Sequence, residues 1–166
     1  MAFDAFLNVD GIKGESTDDK HKDQIEILSF NHGVHQPVSA TASSAGGGSA
    51  ERCEHEDFTV TKLTDSSTPK LLEACCQGKH IKTATLELCR AGGDKLPYMK
   101  VEMGQVIISS VVPSGTSKGE HGFPVEQVSF NYGTIKWTYT QQKRADGSGG
   151  GNVTGGWDRT ANKVAA

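Results

Sequence analysis

The sequence predicts a mainly β fold: a two-sheet antiparallel β-barrel or sandwich, with one α-helix packed on its side and an extended loop. Three observations carry this. Apolar and polar residues alternate with period two in segment after segment. One segment alone has helical spacing. Glycine clusters at 46–48, 92–93, 147–151 and 155–156 punctuate the chain between strand patterns. Many short strands and one helix fit a sandwich or barrel and leave too little helix for a bundle.

The elements follow in order. Phe3, Ala5, Leu7 and Val9 alternate with Asp4, Asn8 and Asp10, which predicts a strand, with Phe6 as an exception on the polar face. KGESTDDKHKD reads as a solvated loop. Ile25, Ile27, Leu28 and Phe30 form the next strand, and the phase shift between Ile27 and Leu28 predicts burial on both faces or a bulge. The chain stays extended through SFNHGVHQPVSA, and Pro37 marks an edge or a strand end. A Gly/Ser-rich stretch follows, and strand pattern resumes over residues 57–63.

The helix is predicted at about 67–77 from SSTPKLLEACCQGKH. Ser67 or Thr68 can cap it, and Pro69 suits its first turn, where a missing N–H goes unnoticed. Leu71, Leu72, Cys75 and Cys76 are read as its buried face. Gly78 suits the left-handed C-terminal position, with Lys79 and His80 close to the helix C-terminus. Strand patterns then fill the rest: residues 83–88, 99–103 up to an interruption at Gly104, QVIISSVV, 128–132 and 135–139. Tyr132, Trp137 and Tyr139 fall on core positions. ADGSGGGNVTGGWDRTANKVAA reads as a glycine-rich loop anchored by Trp157.

Composition narrows the function. A chain of 166 residues is enough for one domain spanning 1–166, and a cut at the Gly/Ser stretch would leave a first piece too small to fold alone. The long loop, about 40–52, is therefore expected to be carried by that one domain. Net charge is −3 with both signs interleaved, which predicts no nucleic-acid partner. No apolar run is long enough to span a bilayer, so no membrane insertion is expected. The first residues lack a basic n-region, an apolar h-region and a cleavage site, which places the chain in the cytoplasm at first. Cys53, Cys75, Cys76 and Cys89 match no common disulfide framework and are expected as free thiols.

No catalytic, metal or cofactor site is predicted. Cys53 with His55, and Cys75–Cys76 with His80, lack the paired spacing that zinc requires. Cys75 and Cys76 read as small apolar residues of the helix, and Cys53 and His55 as part of the exposed loop. The glycine runs do not join a strand to a helix, so no phosphate cradle follows. H-G-V-H at His32 and His35 is unspecific. The alternative to a structural protein is a small β-barrel hydrolase that uses Cys53 as nucleophile with a histidine. A long structureless loop without a catalytic constellation fits assembly better.

The ordered pieces DAFLNVDGIKGEST, HKDQIEILSFNHGV, FTVTKLTDSSTPKLLEACCQGKHIKTATLELCRAGG, YMKVEMGQVIISSV, VSFNYGTIKWTY and GGWDRTANK resemble the Hcp family. These haemolysin-coregulated proteins form the inner tube of the bacterial type VI secretion system. The resemblance covers nearly the whole chain. It implies homo-hexameric rings stacked into a tube, with the contractile sheath, the tip spike proteins and small effectors in the lumen as further partners. It implies export without a classical signal peptide. It also implies that Ser43, Ser44, Gly46, Gly47, Gly48 and Ser49 belong to a ring-stacking loop, and that the polar faces of strands line the lumen.

Overall fold

The computed structural model describes residues 3–38, 51–92, 95–118, 122–143, 146 and 148–165. In chain order these form β1 (Phe3–Val9), β2 (Ile25–Ile27), β3 (Ser29–Asn31), β4 (Val34–His35), β5 (Glu54–His55), β6 (Phe58–Leu63), α1 (Thr68–Gln77), β7 (His80–Arg90), β8 (Pro97–Ser114), β9 (Val125–Asn131), β10 (Thr134–Gln142), β11 (Gly149–Asp158) and β12 (Lys163–Val164). The residues predicted for the stacking loop, Ser43 to Ser49, lie outside the described residues.

Two antiparallel layers share the long strand β8. One runs β12-β11-β10-β8-β7-β1-β2, and the other leaves β8 through β9 and β6 to β3. β7 flanks β8 on one side. On the other side β8 pairs first with β10, from Met99 to Gly104, and then with β9, from Ile107 to Ser114. The change of partner falls at Gly104–Gln105. Gln105 takes a positive φ of 52°, and the Gly133 N–H reaches both the Gly104 and Gln105 carbonyls, at 3.0 and 3.2 Å. A side chain at Gly133 would run into that of Gln105. Gly104 therefore marks a kink inside one strand, where the sequence suggested a strand end. The layers also part at Leu28, whose N–H donates to Thr61 O at 2.8 Å while β2 stays on β1 and β3 on β6. That is the physical source of the phase shift at Ile27–Leu28. The ladder stays open and closes no barrel.

The core lies between the layers. Leu7, Leu86 and Val101 come from the larger one, and Phe58, Val60, Val128 and Phe130 from the smaller. α1 covers one side with Thr68, Leu71 and Ala74 buried and Cys75 packed against the core. Its buried stripe is thus narrower than predicted: Leu72 and Cys76 are exposed, because they project one residue beyond Leu71 and Cys75, about 100° round the helix. Gly78 ends the helix at φ 58°, as expected. Tyr132 is buried, but Tyr139 is 45 % exposed where a core residue was expected, because β10 runs out beyond the body there to pair with β11. The glycine-rich tail is not a loop either. Gly149–Asp158 forms β11, held to β10 by backbone hydrogen bonds that need no side chain, and Trp157 packs against the core.

Phe6 keeps the outward phase that its position dictates and is nonetheless buried. The polar segment after β1 folds back over it. His21 stacks on the Phe6 ring, centroids 4.2 Å apart and nearly parallel. Its Nδ1 lies 2.9 Å from Asp18 Oδ1 and its Nε2 2.7 Å from Glu87 Oε2. Lys95 binds Asp18 at 2.8 Å and sits over the Phe6 ring at 5.7 Å. The hydrogen bonds from Lys95 and His21 hold the Asp18 carboxyl well below the usual carboxylate range. The loop expected to be solvated thus carries a buried histidine and a buried serine, Ser16.

The helix is fixed by charge. Period two puts Lys62 on the same face as Phe58 and Val60, and Glu126 on the face of Val128. Both are fully buried and form an ion pair. Lys62 Nζ also donates to Leu63 O at 2.8 Å and pairs with Asp65 Oδ1 at 2.9 Å. The Thr68 hydroxyl donates to Glu126 Oε1 at 2.8 Å. Ser67 stands at the N-cap, but its side chain bonds no helix N–H. Its hydroxyl and N–H both donate to Asp65 Oδ1, at 2.5 and 2.9 Å. Pro69 occupies the first turn. The helix start is therefore tied down by Asp65, Thr68 and Glu126.

Removing one partner leaves a buried charge alone. Lys62→Met or Glu126→Leu should each cost about 3–5 kcal/mol in urea unfolding, and the double variant should recover most of that loss. Single variants as stable as the parent would show that the pair is not desolvated.

Candidate functional site

Four side chains from distant segments meet where β9 and β10 diverge from β8. Tyr132 sits at the apex of the β9–β10 connection, fully buried. Its hydroxyl lies 2.5 Å from His32 Nε2, 3.0 Å from His55 Nδ1 and 3.3 Å from Glu56 O. Arg159, just beyond β11, stacks its guanidinium 5.2 Å from the Tyr132 ring centroid and donates to Tyr132 O at 2.8 Å. Burial pushes the Tyr132 hydroxyl far above its ordinary value, keeping it protonated. Burial also lowers both histidines; the nearby His55 adds to this for His32, and Arg159 for His55. His55 Nε2 is buried without a hydrogen-bond partner among the described residues.

A cavity of about 890 Å³ opens beside this cluster, lined by Arg52, Cys53, His55, His80, Tyr132 and Arg159 among others. Its rim is the root of the long loop. Glu51 N donates to Pro37 O at 3.2 Å, and Arg52 donates to Arg159 O at 2.5 Å. β4 and β5 pair as a separate two-stranded ribbon, Val34 with His55 and His35 with Glu54.

The predicted candidates are placed as follows. His55 belongs to β5 and is half-buried, not part of an exposed loop. Cys53 lies nearby, but its thiol reaches only Glu54 O, at 3.9 Å, and no hydrogen bond joins it to a histidine among the described residues. His55 turns its Nδ1 to Tyr132, and no contact joins its Nε2 to the Cys53 thiol among the described residues. Cys75–Cys76 and His80 form no group of metal-ligating side chains among the described residues. Sequence reasoning missed the His32–Tyr132–His55 cluster. Its one signal was H-G-V-H at residues 32–35, before a strand break.

The two outward sheet faces differ in chemistry. On the smaller layer, Ser29, Thr61 and Gln127 form one cross-strand row, and Asn31, Thr59, Ser129 and Ser110 the next. This face is rich in hydroxyls, with Asp57 bonded to Ser109 and Asn131 at its end. On the larger layer, Glu87 faces Lys100 and Glu102 faces Lys136 across neighbouring strands. Phe3 and Phe30 form an exposed aromatic pair near the edge strand β3.

Residues 6–139 match a protein-family profile described as "Type VI secretion system effector, Hcp". The chain belongs to the Hcp family. It is 36% identical to "Protein hcp1" of Pseudomonas aeruginosa (strain PAO1) over 159 residues, 95% of this chain and 96% of that protein. It is 26% identical to the "Major exported protein" of the same organism, over 84% of this chain and 90% of that one. A solved structure described as that of a type six secretion system protein superposes with a TM-score of 0.92 at 34% identity, covering 99% of this chain and all of that chain. Hcp1 from Salmonella typhimurium gives a TM-score of 0.82 at 36% identity, with the same coverage. Hcp is a family of structural tube proteins of a secretion system and not a known enzyme family.

The four thiols should separate by reactivity. Cys76 is exposed, whereas Cys89 is fully buried and its thiol is pushed up to about 11, chiefly by burial and then by Glu87 and Asp18. A thiol reagent added to the native protein should modify Cys76 first and spare Cys89 until unfolding. Peptide mapping of the labelled protein reads this directly, and early labelling of Cys89 would contradict the buried placement.

Proposed function

We propose that this chain is a tube protein: one domain over residues 1–166 that closes into homo-hexameric rings, which stack into the expelled inner tube of a type VI secretion system. The observation that carries this reading is the end-to-end likeness in fold and sequence to Hcp proteins.

The surfaces support it. A closed ring needs two different patches on each protomer. The free edge of β3, beside the exposed Phe3 and Phe30, and the long edge of β11, which β12 covers only at Trp157 and Asp158, offer two such patches. The hydroxyl-rich face of the smaller layer suits a lumen. It can exchange hydrogen bonds with water or with a polypeptide. The charged face of the larger layer suits contact with solvent or the contractile sheath. Residues of about 40–52, with Ser43, Ser44, Gly46, Gly47, Gly48 and Ser49, are assigned to ring stacking, which many copies together make firm. Small effectors would travel in the lumen, and the tip spike proteins would cap the tube. The chain would lie in the cytoplasm before firing and leave the cell with the tube. Catalysis by Cys53 has no geometric support.

Light scattering on a sizing column should give a native mass of about 106 kDa, six times the 17.7 kDa chain. A monomer at all concentrations would overturn the ring. Deletion of residues 42–50 should leave that mass per ring unchanged and weaken stacking, seen as loss of tubes by electron microscopy. Cys53→Ala should change neither.

A further inference from the structure

The ribbon formed by β4 and β5 is held to the body mainly by side chains. Among the described residues it pairs with no other strand. Its attachments are His32 and His55 on Tyr132, Arg52 on Arg159 O, and the Leu28–β3 connection behind it. Two of these attachments are imidazoles that converge on one hydroxyl.

The charged groups around them are unevenly placed. Arg159 stands over the Tyr132 ring, and Arg52 and His80 line the same cavity. Glu56 pairs with His35 at 2.9 Å and its charge opposes the lowering of His32, which burial and His55 outweigh, while Asp57 is bonded to Ser109 and Asn131. Glu54 lines the cavity, and its carboxylate makes no ion pair with either imidazole. Phe58 stacks on His32 at 5.2 Å, and Trp137 lies against it at 6.1 Å, both apolar.

In the neutral state the geometry closes. The Tyr132 hydroxyl donates its one proton and accepts from a neighbouring N–H. A proton on His55 Nε2 would point a charged N–H at no acceptor. A proton on His32 would add a second cation beside His55, close to Arg159. We propose that His32, His55 and Tyr132 form a proton-operated latch: neutral imidazoles hold the β4–β5 ribbon on the body, and proton uptake releases it.

The sign follows from linkage. Both histidines are lowered from their ordinary value of 6.5 in the closed form, while in the released ribbon they meet water. The released form therefore binds more protons, and the latch weakens as pH falls below about 6.5. Closure should weaken about tenfold for each unit by which the closed and released values differ, per histidine. The latch is a property of the protomer, so it and the tube reading can fail independently.

The test is site-resolved hydrogen exchange on the full chain, from about pH 8 to about pH 5, corrected for intrinsic rates. The Glu56 amide, which donates to Gly33 O at 2.9 Å, reports the ribbon, and the β6–β9 amides report the body. Glu56 should lose protection at least tenfold on acidification while β6–β9 keep theirs. The imidazole NMR signals of His32 and His55 should titrate over the same range. In a His32→Gln/His55→Gln variant the acid step should vanish. If that variant does not fold, the wild-type imidazole titration decides by itself. Constant Glu56 protection, loss in step with the body, or an acid step that persists in the variant would each overturn the latch.

Discussion

The Gly133 N–H reaches two successive carbonyls of one strand, and the two layers separate at that point. β8 needs two different partners on one side, and the connection between β9 and β10 straddles it. A side chain there would displace that of Gln105, which packs against Gly133. The fork decides where the core sits, because it sends β10 into one layer and β9 into the other. It also decides where the chemistry collects. Tyr132, Arg159 and the cavity exist at this end because strands that diverge leave room between them.

A second constraint works at the other side of the small layer. A lysine and a glutamate occupy positions that strand periodicity assigns to the core. They are tolerable because each finds several partners: Asp65 and Leu63 O for the lysine, Thr68 for the glutamate. Desolvation makes the arrangement unforgiving, and that gives it a use. α1 can dock in one register only, with Thr68 over Glu126. A purely apolar contact would allow sliding by a turn.

The strands were legible because period two survives in a half-buried sheet; Leu7, Leu86 and Val101 obey it. The helix was legible from Pro69 and Gly78, whose backbone preferences are local. What escaped had non-local causes. β11 was hidden because Gly149–Gly156 has few side chains to show a period, and its strand character comes from β10. His21 looked solvated because its burial depends on Phe6, an outward residue that needs a cover. Cys76 and Tyr139 were misplaced because pattern gives a face and not how far the neighbouring layer extends. The His32–Tyr132–His55 cluster joins residues far apart in sequence, so no spacing could reveal it.

The β4–β5 ribbon also bears on how the family can change. Pro37 and Glu51 are joined by a backbone hydrogen bond, and the ribbon brings the chain back almost to where it left. That clasp fixes both ends of the interval at one place on the body. Lengthening or rewriting residues 39–50 costs the body little, since closure entropy grows only slowly with loop length. Natural variation can therefore accumulate in that interval at little cost to the body, while the fork stays under the tight selection of a packed interior.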